Sequence, residues 1–187
     1  MKIILGSKSP RRREILSMVT NEFEVRVSDC DESYTDDTPL CDVPRILEER
    51  KAQAIEMKND ELIIGCDTVV IYDGELMGKP CDKADAVRML KSLSGTTHQV
   101  ISGICLRTSD KIVSESVVTD VTFRQLSDSE ILSYVEKYCP TDKAGAYGIQ
   151  EAAGAFVKGI CGDFYNVVGL PLCRLCEILK EEFNVIL

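Results

Sequence analysis

Positions 6–14 read Gly-Ser-Lys-Ser-Pro-Arg-Arg-Arg-Glu, between a short apolar run, KIIL, and an apolar helical pattern, EILSMV. Ser9 stands at an N-cap position and Pro10 at the first helical position, where a missing N–H does no harm. Arg11, Arg12 and Arg13 then fall in the first turn of a helix, the end whose partial positive charge favours acids. A bound anion removes the conflict. A strand, a Gly/Ser turn and a helix N-terminus aim backbone N–H groups at such a ligand. The Ser7 and Ser9 hydroxyls add hydrogen bonds, and arginines grip phosphate oxygens in pairs. The competing reading is an exposed basic patch with Ser9 as a plain cap.

Asp67 is a second anomaly, because it interrupts LIIGCDTVVIY, otherwise a buried strand pattern. A buried carboxylate requires a cation, a metal ion or good donors; without them it is expensive. It reads either as a chemical group or as a structural Asp ending a strand, with Gly65 allowing a bend. Lys51 supplies one partner of the right sign: Leu47, Lys51, Ala54 and Ile55 lie on one helical face. A lysine within an apolar stripe either snorkels to water or points into a pocket. Glu48, Glu49 and Arg50 fall off that stripe and read as solvated surface. Lys79, in GELMGKP, lies on the far arm of a hairpin turned at Asp73-Gly74. Strict register there sets Thr68 opposite Lys79 and turns Lys79 away from Asp67, so a shared site requires a break at Gly78. KAGAYGIQ, 143–150, offers glycines for close approach and Gln150, whose amide pairs a donor with an acceptor.

The elements that must position these groups alternate between types. Strand patterns are expected at 2–5, 23–29 and on both arms of the 62–80 hairpin, with two or three more between 99 and 127. Short strands are expected around 155–160 and 164–168. Helices are expected from Pro10 to about Val19, over 43–58, over 82–94 closed by Gly95, after a Ser127/Glu130 capping box, and at the C-terminus. Hairpins mixed with strand–helix units predict an α/β class with a mixed β-sheet flanked by helices, in a single domain over residues 1–187.

The bulk composition excludes several classes. A net charge of −9 argues against a nucleic-acid polymer as partner, which needs a basic face. No apolar run reaches the ~20 residues of a membrane span, and the first residues lack the ~7–15 apolar positions of an export signal. Nine cysteines without such a signal read as reduced thiols, so a cytoplasmic protein is expected. Cys173 and Cys176 read as small apolar residues on a helix. A lone His98, placed in a polar turn, leaves no room for a His-based triad or a His-rich metal site.

Together, SKSPRR at 7–12, DE at 31–32, Lys51, GCDTVV at 65–70, GKP at 78–80, DKAGAYGIQ at 142–150 and NVVGLPL at 166–172 resemble the Maf family. These are septum-formation-inhibitor-like nucleoside triphosphate pyrophosphatases. The resemblance implies an inosine-triphosphatase-like fold, often a homodimer, and a divalent cation, Mg²⁺ or Mn²⁺. It implies release of a nucleoside monophosphate and pyrophosphate in a house-cleaning role. By motif position Asp67 is the proton acceptor, a metal ligand or both, with Glu32 assisting the metal or the water. Ser7, Arg11, Arg12, Lys51 and Lys79 hold the triphosphate, and Arg11, Thr68 and Gln150 fall at positions tied to base choice. YGIQ resembles the branch acting on dTTP and UTP. The alternatives are the 7-methyl-GTP branch, or a nucleotide-binding division regulator without essential catalysis.

Overall fold

The structure is a computed structural model describing residues 1–31, 33–35 and 37–187. Its strands are β1 (Lys2–Leu5), β2 (Phe23–Val25), β3 (Glu61–Tyr72), β4 (Glu75–Met77), β5 (Thr97–Arg107), β6 (Ile112–Phe123) and β7 (Val157–Cys161). Its helices are α1 (Pro10–Leu16), α2 (Val43–Ala54), α3 (Lys83–Leu93), α4 (Asp128–Tyr138), α5 (Phe164–Val168) and α6 (Leu172–Phe183). The strands form a mixed sheet in the order β2-β1-β3-β5-β6-β7, with β4 paired to β3. β1 is parallel to β2 and β3, whereas the β3–β4 and β6–β7 pairs are antiparallel. This is the α/β class expected from the sequence. The chain divides into two compact units: Met1–Thr68, Ser102–Val117 and Tyr165–Leu187 make one, and Val69–Ile101 with Val118–Phe164 make the other.

The first unit follows from the two-residue period of its strands. Ile3, Leu5, Leu62, Ile64, Cys66, Ile104 and Leu106 pack on one side with Ile15 and Leu16 of α1 and Leu175, Ile178 and Leu179 of α6. The alternate residues Ile4, Ile63 and Cys105 pack with Ala52 of α2 and Ile55 just beyond it. Apolar residues on both faces of β1 and β3 explain why their sequences read as continuous rather than alternating apolar runs. A side chain on Gly103 would collide with the backbone at Pro44 and Arg45, so this glycine lets the start of α2 lie close on β5.

The second unit holds its core with aromatic edges. The His98 ring meets Phe123 at 5.0 Å and Tyr147 at 5.4 Å, and Phe123 meets Tyr147 at 4.9 Å, all edge to face. Asp73 and Gly74 both take positive φ, 50° and 75°, as a two-residue hairpin turn demands. The Ser127/Glu130 capping box forms at the start of α4.

Several local expectations differ from the structure. α1 ends at Leu16 rather than near Val19, α2 ends at Ala54 rather than at 58, and β2 covers only Phe23–Val25. Residues 164–168 form a helical turn rather than a strand: Tyr165 O accepts from both Gly169 and Leu170, and Asn166 is buried with its amide donating to Val117 O. Tertiary bonds outweigh the strand preference of Val167 and Val168. His98 lies in β5, 2% exposed, rather than in a polar turn. All nine cysteines are free thiols. Among the described residues no helix is long and apolar enough to cross a membrane.

Burial holds the His98 imidazole well below its usual range, at about 4. The folded protein therefore resists a proton that the unfolded chain accepts near pH 6.5. His98 contributes its full stability above that value and loses it as pH falls toward 4, a change of about 2–3 kcal/mol at about pH 4.5. Urea unfolding at about pH 7 and 4.5 checks this: His98→Gln should narrow the stability difference by that amount, and an unchanged difference would contradict it.

Candidate active site

The chemistry collects where the parallel ladder of the first unit runs out. β1 and β3 pair through Leu5 and Ile64, and Gly6 N–H donates to Ile64 O at 2.8 Å. β3 then continues past β1, so residues 65–68 lie beyond the carboxyl end of β1, where open α/β sheets bind ligands. Gly65 and Asp67 share the parity of Ile63 and face α2; Cys66 and Thr68 share that of Ile64.

Asp67 is the centre. Lys51 of α2 places Nζ 3.4 Å from Oδ2, and Arg12 of α1 places Nη2 3.7 Å from Oδ1. The Thr68 N–H donates to Oδ1 at 3.0 Å. The Lys51 side chain keeps only 19% of its surface exposed, so it turns into the site rather than snorkelling. Two cations from different helices thus meet on one carboxylate.

Arg12 is oriented by neutral acceptors. Nε donates to Gly169 O at 2.8 Å, Nη1 to Ser7 Oγ at 3.0 Å and Nη2 to Thr68 Oγ1 at 3.4 Å. A guanidinium has about five N–H donors. Three are used in this way, which fixes the plane of the fork. The Thr68 hydroxyl is itself 2.8 Å from that of buried Ser102, which donates to Asn166 O at 3.4 Å. The Cys66 thiol donates to Gly169 O at 3.2 Å. Burial pushes this thiol up to about 12, so at neutral pH it is a hydrogen-bond donor and not a nucleophile.

Two of these parts were hidden in the sequence. Gly169 takes φ +129°, a conformation suited to glycine, and turns its carbonyl onto Arg12; the run NVVGLP signals a turn but not its partner. Glu48, read from the sequence as solvated surface, is 1% exposed. The buried face of α2 is Val43, Pro44, Leu47, Glu48 and Ala52, about one residue round from the expected stripe, and Ala54 is exposed. The Glu48 carboxylate occupies the space that a side chain on Gly65 would need. Gly65 therefore makes room rather than a bend.

The remaining expected residues divide as follows. Ser7 is buried and accepts from Ser9 N–H at 3.3 Å. Ser9 holds the N-cap position of α1 without a side-chain cap bond. Arg11 is half-buried on the first turn, whereas Arg13 is exposed. Lys79 and Gln150 belong to the second unit, where both are exposed. The β3–β4 ladder stops at the Val70–Met77 pair, just before Gly78, so the strict register does not extend to Lys79. Glu32 lies outside the described residues. Among the described residues no three His, Cys, Asp or Glu side chains stand together as a metal cluster.

The sequence pattern of the Maf-like protein family matches residues 2–182. This chain belongs to the Maf family. Maf relatives at high identity span nearly the whole chain. A protein of Parabacteroides distasonis named dTTP/UTP pyrophosphatase is 50% identical over 185 residues, covering 96% of this chain and 95% of that protein. Proteins of the same name from Phocaeicola vulgatus and Bacillus anthracis are 49% and 44% identical, covering 96% and 98% of this chain and 95% and 96% of their own.

The split among the three arginines of this Maf chain is testable by calorimetry with tripolyphosphate. Arg12→Ala should weaken binding by about tenfold or more, as expected for loss of a charge-assisted pair, while Arg13→Ala stays within about twofold. Equal losses would mean that the three act only as a diffuse positive field.

Proposed function

We propose that this chain is a nucleoside triphosphate pyrophosphatase that hydrolyses dTTP and UTP, and modified pyrimidine nucleotides of the same shape, to the monophosphate and pyrophosphate. The observation that carries the reading is the Asp67 carboxylate held between Arg12 and Lys51 at the carboxyl end of β1. The names of relatives 44–50% identical over nearly full length support the substrates. The family pattern over 2–182 supports one catalytic module for the 187 residues.

Hydrolysis of a phosphoanhydride needs charge neutralisation, an oriented water and a base. Arg12 and Lys51, with Ser7, Ser9 and Arg11 on the adjoining turn, bind and neutralise the triphosphate. The same role falls to Lys79 by resemblance. Asp67 then orients the attacking water and takes its proton; the water oxygen completes the monophosphate or the pyrophosphate, and the α–β anhydride bond breaks. By resemblance Arg11, Thr68 and Gln150 serve base choice, the last through an amide that pairs a donor with an acceptor.

A divalent cation fits the donor set. Mg²⁺ and Mn²⁺ take hard oxygen ligands, commonly one or two carboxylates with substrate phosphates rather than a full protein cage. Asp67 supplies such a carboxylate, and Glu32 is the second by resemblance. When bound, the ion supplies further neutralisation of phosphate charge. Nine free thiols support a reducing, cytoplasmic setting. A homodimer is the assembly that the family resemblance implies.

Purified protein incubated with a nucleoside triphosphate panel and Mg²⁺ or Mn²⁺, with products separated by ion exchange, tests this. Pyrophosphate and monophosphate should form from dTTP and UTP. Release of orthophosphate would refute the reaction, and fast turnover of 7-methyl-GTP with none of dTTP would refute the substrate.

A further inference from the structure

The segment 143–151 of the second unit is bent against its own preferences. Gly145 and Ala146 both take positive φ, 65° and 62°. For alanine that conformation costs roughly 1–2 kcal/mol and survives only where the surroundings over-determine it. Ala146 is fully buried, and a side chain on Gly145 would press on Val70, so neither residue can be exchanged freely. The turn ends at Gln150, the one exposed side chain of the run 145–150.

Several bonds fix this turn. The Gly145 N–H donates to Gly78 O at 3.1 Å, tying it to the residue before Lys79. The Ala146 N–H donates to Lys143 O at 3.1 Å. The Lys143 ammonium, on a side chain only 10% exposed, lies 2.8 Å from Asp142 and 3.4 Å from Glu151, closing the segment at its base. At the apex the Tyr147 hydroxyl lies 2.8 Å from His98 Nε2, inside the aromatic cluster with Phe123. This last bond joins the segment to the start of β5. Both its members are buried, and His98 Nδ1 has no hydrogen-bond partner among the described residues. His98 therefore directs its one bond at Tyr147.

We propose that His98 and Tyr147 are positioning residues for nucleobase choice: the buried bond between them fixes the strained turn that presents Gln150. The proposal rests on the reading that Gln150 reads the base. An amide distinguishes base edges by where its donor and acceptor stand, and displacements of about 1 Å spoil such readout. Release of Tyr147 lets the Gly145–Ala146 bend relax and carries Gln150 away from its place. Nucleotides that match the amide then lose their advantage over those that do not. The Gly145–Gly78 bond makes the Lys79 turn part of the same device.

The test is the ratio of kcat/KM for dTTP to kcat/KM for CTP. Tyr147→Phe keeps the ring and its edge contacts and removes only the hydroxyl. We expect it to lower the ratio about five- to tenfold, through a raised KM for dTTP more than a lowered kcat. His98→Leu should do the same, the double variant should lose no more than either single one, and His98→Gln, whose amide reaches the Nε2 position, should restore most of the ratio. A purely structural role would lower the melting temperature and act on both nucleotides alike; an unchanged ratio in Tyr147→Phe overturns the proposal. Gln150→Ala separates the two levels. If it leaves the ratio unchanged, the reading of Gln150 fails and the proposal with it. If it relaxes the ratio while Tyr147→Phe does not, only the positioning role fails.

Discussion

A carboxylate three-quarters buried, as Asp67 is, would cost several kcal/mol if it stood alone. Its neighbours are an arginine from the first helix and a lysine from the second, and neither is there by local sequence. The three groups hold one another in place, and the unit around them is built to make that meeting possible. Arg12, the middle arginine of the opening basic run, turns to this carboxylate and to neutral acceptors, whereas Arg13 stays exposed.

Strand parity does the rest. Ile63 packs on α2, Gly65 leaves room for Glu48 and Asp67 meets Lys51, three successive positions on one side of β3. On the other side Ile64 packs on the α1 and α6 core, Cys66 donates to Gly169 O, and Thr68 accepts from Arg12. The strand thus passes from core to chemistry on both faces within four residues. The Gly169 carbonyl gathers Arg12 Nε and the Cys66 thiol, which explains why a buried cysteine beside the site is a scaffold element without reactivity of its own.

Much of this was legible beforehand. Continuous apolar runs marked β1 and β3, Asp73-Gly74 marked the hairpin, and Ser127 with Glu130 marked the start of α4. Arg12, Lys51 and Asp67 stood out because each broke the pattern around it, and the structure brings these three together with Ser7. Glu48 was read as surface because a helical stripe misjudged by one residue moves a carboxylate from interior to surface. The Gly169 carbonyl escaped notice because backbone groups leave no trace in residue type, and the α5 turn before it carries strand-forming residues. His98 was misplaced because its polar neighbours Thr96, Thr97 and Gln99 suggested a turn, while its partner Tyr147 lies 49 residues on.

The central claim is that Asp67 does chemistry while Arg12 and Lys51 do the binding. The direct test measures both properties on Asp67→Asn: single-turnover hydrolysis of dTTP, and metal-free equilibrium binding of its non-hydrolysable α,β-methylene analogue. Hydrolysis should fall by about 10²-fold or more, as for loss of a general base, while the analogue binds as well as before or better, a negative charge having been removed from an anion site. Binding that weakens in step with hydrolysis, or hydrolysis that survives, would contradict the account.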